Sequence, residues 1–381
     1  MVFYPVYALL FADTGLTTAE ISSLFVIWSV VAFTAEIPSG AWADTWSRRR
    51  LYVLGAALTA AGFLTWTLWT AYPGFALGFV LWGLGGALCS GTLEALLYDS
   101  LADPDDYARV AGRGGTIAIL SMLAATLLAT PVFLLGGYVL VGVASVLVAL
   151  AAGGFALGFP ESRGEGSDKS GYLDTLRAGL RHARTGKHVV WALTLAALVP
   201  GFTALDEYIP LVTRATGVPV AYAGLFFAVP ALFMALGSEL AGRWAHCGPR
   251  VLGAVLAAAA ALLAAGGLSR HAAGMLPIGA AFGLLQFAIV LSETRLQEVT
   301  PSAVRATVLS VSGFAAEVVA VALYLFFGLG AAYATVPVLF ALVGIPLLGT
   351  ATVAAAGARH VNPRPESVQR VRSGDGGQSP R

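Results

Sequence analysis

A helix of about 20 residues is long enough to cross the ~30 Å hydrocarbon layer of a bilayer, and this chain repeats that length from end to end. Apolar runs fall at about 1–12, 20–38, 51–70, 75–98, 114–130, 132–158, 189–213, 219–241, 251–268, 272–294, 304–328 and 331–356. The runs are continuously apolar and do not alternate with period two, so helices follow and a barrel does not. The expected fold class is all-α integral membrane, with twelve transmembrane helices. Only 11% of the residues are Asp, Glu, Lys or Arg, against about one quarter in soluble domains. The net charge of +1 gives no overall field that would draw a nucleic acid. Cys89 and Cys247 sit in or beside apolar runs without CxxC spacing, as membrane-packed thiols do. Met1 is followed directly by apolar residues with no basic n-region, so no cleavable signal peptide is expected.

The cations set the orientation. Segments 43–50, 99–113, 159–188, 243–250, 295–305 and 357–381 carry 20 of the 22 Lys and Arg residues, and the alternate connections carry only Arg214 and Arg270. By the positive-inside rule both termini are cytoplasmic, in a multi-pass protein of the cytoplasmic (inner) cell membrane. Within 159–188, "YLDTLRAGLRHAR" places Leu173, Leu176 and Leu180 on one helical face, as an interfacial amphipathic helix does. The tail 357–381 is polar and rich in Pro, Gly and Arg, and reads as disordered.

Weak self-similarity divides the chain. "TGLTTAEISSLF" (14–25) aligns with "TGVPVAYAGLFF" (216–227) at an offset of 202, and Gly40 with Gly237, Pro104 with Pro301 and Arg109 with Arg305 at 196–197. The expectation is two six-helix halves in parallel orientation, 1–158 and 189–356, joined by a cytoplasmic loop at 159–188. On that alignment the first helix lacks about a dozen residues at its start, through a start placed too late or a truncation.

Ionisable residues inside a membrane are expensive and face a bundle interior or a wet cavity. Runs 3, 6, 9 and 12 carry none, whereas the others contain or border Glu36, Glu94, Asp99, Arg113, Asp206, Glu207, Glu239, Glu293 and Glu317. A central aqueous path follows. Glu317 lies about 13 residues into its run, roughly 20 Å, where it either exchanges a proton, binds a cation or bonds a backbone carbonyl. Asp206 and Glu207, near the outer end of the seventh run, face an outer vestibule or meet headgroup water. Gln286 is a polar cavity liner, and Trp66 and Trp69 read as belt anchors. No HExxH, GxSxG or P-loop is present, so no catalytic residue, metal or cofactor is expected and the protein does not read as an enzyme.

The stretch "GAWADTWSRRR", with "EIPSG" before it and "SGTLEALLYDSL" at the end of the fourth run, resembles the loop motif of the major facilitator superfamily. The second-half copy, "SELAGRWAHCGPR", lacks the Asp and the paired arginines. The fifth-helix Gly-Pro pair of many drug/proton antiporters is absent from "ATPVFLLGG", which argues against antiport of that type. Physically, Gly40 permits close helix approach, Asp44 can sit against a helix N-terminus, and Arg48 can fork onto Glu94 or Asp99. The resemblance assigns that N-terminus to the eleventh helix, near Ser302. Together these residues form a breakable gating latch at the cytoplasmic ends, while Arg49 and Arg50 set topology alone.

The function expected is secondary transport of a small molecule by alternating access, as a monomer coupled to protons. An apolar, aromatic-bearing interior with few cations favours export over uptake. The rival is a non-transporting sensor or scaffold of the same fold, which would call for a large soluble domain.

Overall fold

A computed structural model describes residues 1–100, 107–159, 186–301 and 304–357. Within the helices, the side chains at 37–38, 40–41, 43–45, 91, 93–100, 107–109, 111–112 and 306 are outside the described set. The described residues are helical throughout: α1 (Tyr7–Asp13), α2 (Thr18–Thr45), α3 (Arg48–Leu68), α4 (Tyr72–Ser100), α5 (Tyr107–Ala156), α6 (Lys187–Gly201), α7 (Ile209–Ala215), α8 (Ala223–Arg243), α9 (Pro249–Leu268), α10 (Met275–Glu298), α11 (Arg305–Gly330), α12 (Val336–Leu342) and α13 (Gly344–Ala356). Local chemistry starts several of them. Thr17 and Glu20 form a reciprocal capping box at α2, the Ser47 hydroxyl accepts from Arg50 N–H at α3, and Pro249 opens α9.

Ten stretches among the described residues are long and apolar enough to span a bilayer, against twelve apolar runs in the sequence. Two differences account for this. The first run forms only the seven-residue α1, too short to cross. The fifth and sixth runs form one stretch, Arg113–Ala156, of 44 residues; a straight helix of that length would measure roughly 66 Å, about twice the hydrocarbon layer. It breaks at Gly136 (φ −159°) and Gly137 (φ 59°), the second in the left-handed region that glycine enters without strain. Before the break Thr126 and Ala129 pack on Gly224 at the start of α8. After it, Gly142 meets Thr67 and Gly153 meets Ala56, so the second arm runs antiparallel to α3.

Side-chain contacts define two ends. At the arginine-rich end, Arg49 donates to the carbonyls of Leu157 and Phe159, Arg295 to that of Cys247, and Trp191 Nε1 to that of Val353 at 2.9 Å. At the other end Asp13, Tyr138 and Arg214 meet.

In hydrocarbon, helices associate by close packing of small residues rather than by a hydrophobic drive, and the α3–α4 hairpin shows this plainly. Glycines seven residues apart on each helix face one another. A Cβ on Gly55 would lie 2.7 Å from the Gly85 carbonyl oxygen, and one on Gly62 would lie 2.7 Å from that of Gly78. Beside this hairpin sits α1, buried from Tyr7 to Phe11. Phe3 N–H donates to Ser145 Oγ at 3.0 Å, and Phe3, Tyr7 and Phe11 enter an aromatic cluster with Phe63, Trp66 and Phe79. Trp66 is therefore no belt anchor: it is fully buried and its indole N–H donates to the Phe75 carbonyl at 3.0 Å. Trp69 is 49% exposed.

Gly62→Leu should force α3 and α4 apart and lower stability by about 1–3 kcal/mol. Gly86→Leu, on the same hairpin but with nothing within 4 Å of the position its Cβ would take, should be tolerated. Thermal melting of the purified variants, followed by size-exclusion in detergent, checks both; equal melting points would remove the glycine contact as the cause.

Candidate functional site

The helical ladder between α6 and α7 fails for a reason visible in the sequence. Pro200 and Pro210 each lack the N–H that would close an i→i−4 bond. The residues between them, Phe202–Tyr208, tighten into a 3₁₀ segment. Thr203 Oγ1 returns a bond of 2.7 Å to the Pro200 carbonyl. Asp206 and Glu207 project from this interrupted segment. Gly201, at its start, lets α11 approach: a Cβ there would lie 2.5 Å from Val319 Cβ and 2.8 Å from the Ala316 carbonyl oxygen. Glu317 is the next residue on that helix.

Across from the break stand helices from the N-terminal part of the chain. Tyr4 Oη donates toward Asp206 Oδ2 at 3.1 Å and Glu207 Oε1 at 3.3 Å. Both bonds are longer than the ~2.7–2.8 Å usual between oxygens, because one phenolic hydrogen serves two carboxyl groups. Glu207 is 8% exposed, so it lies inside the protein and does not meet headgroup water. Ser22 Oγ and Tyr208 Oη are 2.7 Å apart, and Tyr208 stacks on Phe327 at 3.7 Å. Phe25 bridges the two sides, edge-on to Tyr208 at 5.5 Å and tilted against Tyr324 at 5.4 Å. Tyr4 in turn packs edge-on against Phe227 at 5.4 Å and Trp82 at 6.4 Å. Glu317 is half-buried and has no hydrogen-bond or ion-pair partner among the described residues; the Tyr324 phenol lies within electrostatic reach of Glu317, Asp206, Glu207 and Tyr208.

A second contact between the same sets of helices lies at the far end. Asp13 Oδ1 pairs with Arg214 Nη1 at 2.5 Å, and Tyr138 Oη donates to Asp13 Oδ2 at 2.6 Å. The ion pair is partly open to solvent, 45% for Arg214 and 32% for Asp13. Exposed pairs contribute about 0.2–1 kcal/mol, so this one closes the end without locking it.

The remaining residues singled out in the sequence lie elsewhere. Gln286 donates to Ser238 Oγ at 3.1 Å, tying α10 to α8 away from the acids. Glu36, Glu239, Glu293 and Arg113 are exposed, with Glu239 paired to Arg243 at 3.0 Å within one helical turn. Gly40 and Asp44 fall near the end of α2, and Glu94 and Asp99 in the last turns of α4, but their side chains, like residue 302, lie outside the described ones. Arg48 opens α3 and is half-buried. Among the described residues no group of three or more His, Cys, Asp or Glu is placed to hold a metal.

Sequence reasoning missed Tyr4, Tyr324, Asp13 and Arg214 as site residues. The signal for the centre was the pair of prolines bracketing an Asp-Glu dipeptide, since interrupted membrane helices form the binding sites of many transporters.

No curated protein sequence matches the chain. Solved structures do match its fold. A bacterial homologue of the human lysosomal transporter Spinster, in an inward-facing and unoccupied conformation, superposes with a TM-score of 0.69 at 18% identity over 94% of this chain and 88% of that one. An auto-inhibited POT-family peptide transporter gives 0.73 at 15% identity over 95% and 94%. The nucleoside transporter NupG gives 0.71 at 12% identity over 93% and 94%. The family model of the Major Facilitator Superfamily matches residues 1–323, and this multi-pass membrane protein belongs to that superfamily.

Proposed function

We propose that the chain is a secondary transporter that moves a small molecule across the cytoplasmic membrane by alternating access. Its helix sets, 1–158 and 189–356, would rock about the centre formed by Tyr4, Asp206, Glu207 and Glu317. The cytoplasmic side would be the arginine-rich end, holding both termini, the 159–188 loop and the 357–381 tail. The observation that carries this reading is the Tyr4 contact to Asp206 and Glu207. It joins the two sets at a helix break, the setting in which transporters hold substrates and coupling ions. Membership of a superfamily whose solved relatives include transporters supports it. Those relatives carry names for different cargoes, so none supplies a substrate here.

Direction and energy source belong to the same proposal. The acid-bearing, aromatic centre supports export of an amphipathic compound driven by a proton gradient. Glu317 is the coupling residue, with Asp206 and Glu207 next to it. At the arginine-rich end, Gly40, Asp44, Arg48, Glu94 and Asp99 would form the latch that holds the cytoplasmic side shut.

The latch is testable without a known substrate. Ser22→Cys, covered by Tyr208 when the charge-poor end is closed, becomes reactive to a membrane-impermeant thiol reagent from that side when the end opens. Asp44→Asn or Arg48→Ala should slow this labelling roughly threefold to tenfold, equivalent to about 0.7–1.4 kcal/mol. Unchanged labelling in both, at normal expression, would leave these arginines with topology alone. A Ser22→Cys that never reacts from that side would contradict alternating access itself.

Coupling is tested in proteoliposomes with an imposed pH gradient, using a compound found by comparing accumulation in cells with and without the gene. Glu317→Gln keeps the shape of a protonated carboxyl, so it should abolish gradient-driven accumulation while sparing binding and passive exchange. If it still concentrates the compound like the unmodified protein, Glu317 is not the coupling residue.

A further inference from the structure

We propose that the centre between the helix sets binds an organic cation, a compound carrying its positive charge on a flat or bulky apolar body. This rests on the transporter reading and names the substrate class of that site.

The first observation is a set of acids with no basic partner beside them. Every described Lys and Arg in a membrane-spanning stretch lies within about two turns of an end of that stretch, whereas Asp206, Glu207 and Glu317 lie further in. Three acids therefore share the centre with no described basic side chain. Buried charges are costly unless paired and hydrogen-bonded, and one phenolic hydrogen, from Tyr4, is split between two of the carboxyl groups at 3.1 and 3.3 Å. A cationic ligand supplies the missing partner.

The second observation is independent of the acids. Tyr324 is 3% exposed and makes no hydrogen bond among the described residues, yet its phenol faces the same centre, within reach of Asp206, Glu207 and Glu317. Tyr7 Oη on α1, whose ring packs against Tyr4 and Phe25, and Ser29 Oγ on α2 are buried without a hydrogen-bond partner among the described residues; buried polar groups in native proteins are nearly always satisfied, so these hydroxyls mark a place where a ligand group belongs.

The walls fit the body of such a compound. Trp82 and Phe227 pack on Tyr4, the ring that touches Asp206 and Glu207, and Phe25, Tyr208 and Tyr324 pack together beside it, so both helix sets contribute rings. Aromatic faces attract cations, most strongly when desolvated. An anion of the same shape would meet the negative faces of the rings as well as three carboxyl groups. The missing fifth-helix Gly-Pro pair bears on antiport, and leaves the chemistry of what binds here untouched.

Tetraphenylphosphonium and tetraphenylborate have the same shape and opposite charge, so they separate charge recognition from apolar partition. Equilibrium dialysis against the purified, full-length protein should show saturable binding of the phosphonium at least tenfold tighter than of the borate. The Asp206→Asn/Glu207→Gln double variant should lose that preference, Tyr324→Phe should weaken phosphonium binding about twofold to fivefold, and Glu239→Gln at the exposed end should change nothing. Equal binding of the two ions to the unmodified protein would overturn the proposal without any variant, so a double variant that fails to fold does not shield it. Full phosphonium affinity in a folded double variant would overturn it as well. Either result, with Ser22→Cys still labelled from the charge-poor side, removes the substrate class and leaves the transporter reading standing.

Discussion

A carboxyl group held within the thickness of a bilayer has to find its donors in the protein, because hydrocarbon supplies none. Asp206 and Glu207 share one side-chain donor among the described residues, the phenol of Tyr4, and that phenol belongs to the other end of the sequence. Local chemistry dictates where the acids can stand. Two prolines ten residues apart loosen the helix between them, and Gly201 lets α11 close against it. The closure of the N-terminal helices on the C-terminal ones then follows from satisfying the acids, with Ser22–Tyr208 and Phe25 extending the contact. Each of these contacts is individually modest, about 0.5–1.5 kcal/mol for a neutral hydrogen bond, which suits an interface that must part and re-form.

The far end is built on the same scale. Asp13 touches three segments, through its own α1, the Tyr138 phenol after the glycine break, and Arg214 at the end of α7. Arg214 is one of only two cations on the charge-poor connections, so its pairing is not a by-product of a basic surface. At the arginine-rich end, described contacts tie each helix set to itself: Arg49 to the end of α5, and Arg295 to the Cys247 carbonyl while its guanidinium lies 5.6 Å over Trp191. Contacts of that kind brace each set as a body.

The sequence carries its architecture openly because apolar length is a direct physical requirement of a bilayer, and run boundaries such as 20–38 or 251–268 fall inside the helices that form. It carries the site less openly. Glu317, Asp206 and Glu207 stand out as acids among apolar residues, and depth alone suggested that they face something polar. Tyr4 and Tyr324 do not stand out, since a tyrosine in an apolar run has the same spacing whether its hydroxyl meets a carboxyl group 200 residues away or nothing. Trp66 misled for a related reason: proximity to a run's end suits a belt anchor, while the neighbours that bury it, Phe3, Tyr7 and Phe79, come from distant parts of the chain. Gln286 stands out as a polar residue in an apolar run, but its partner Ser238, 48 residues earlier, does not. The fifth and sixth runs are two helical arms that meet at a single non-helical glycine pair, Gly136 and Gly137.

The central claim is that the two helix sets separate at the charge-poor end in every transport cycle. Linking that end tests it directly. In a protein with Cys89 and Cys247 replaced by Ser, Asp13→Cys and Arg214→Cys place two thiols where the ion pair stood, within range of a short, reducible bis-thiol reagent. Complete cross-linking should stop net transport in proteoliposomes, and reduction should restore it to the level of the uncross-linked double variant. Transport that continues undiminished with the bridge fully formed would show that the end does not open, and the account would be wrong.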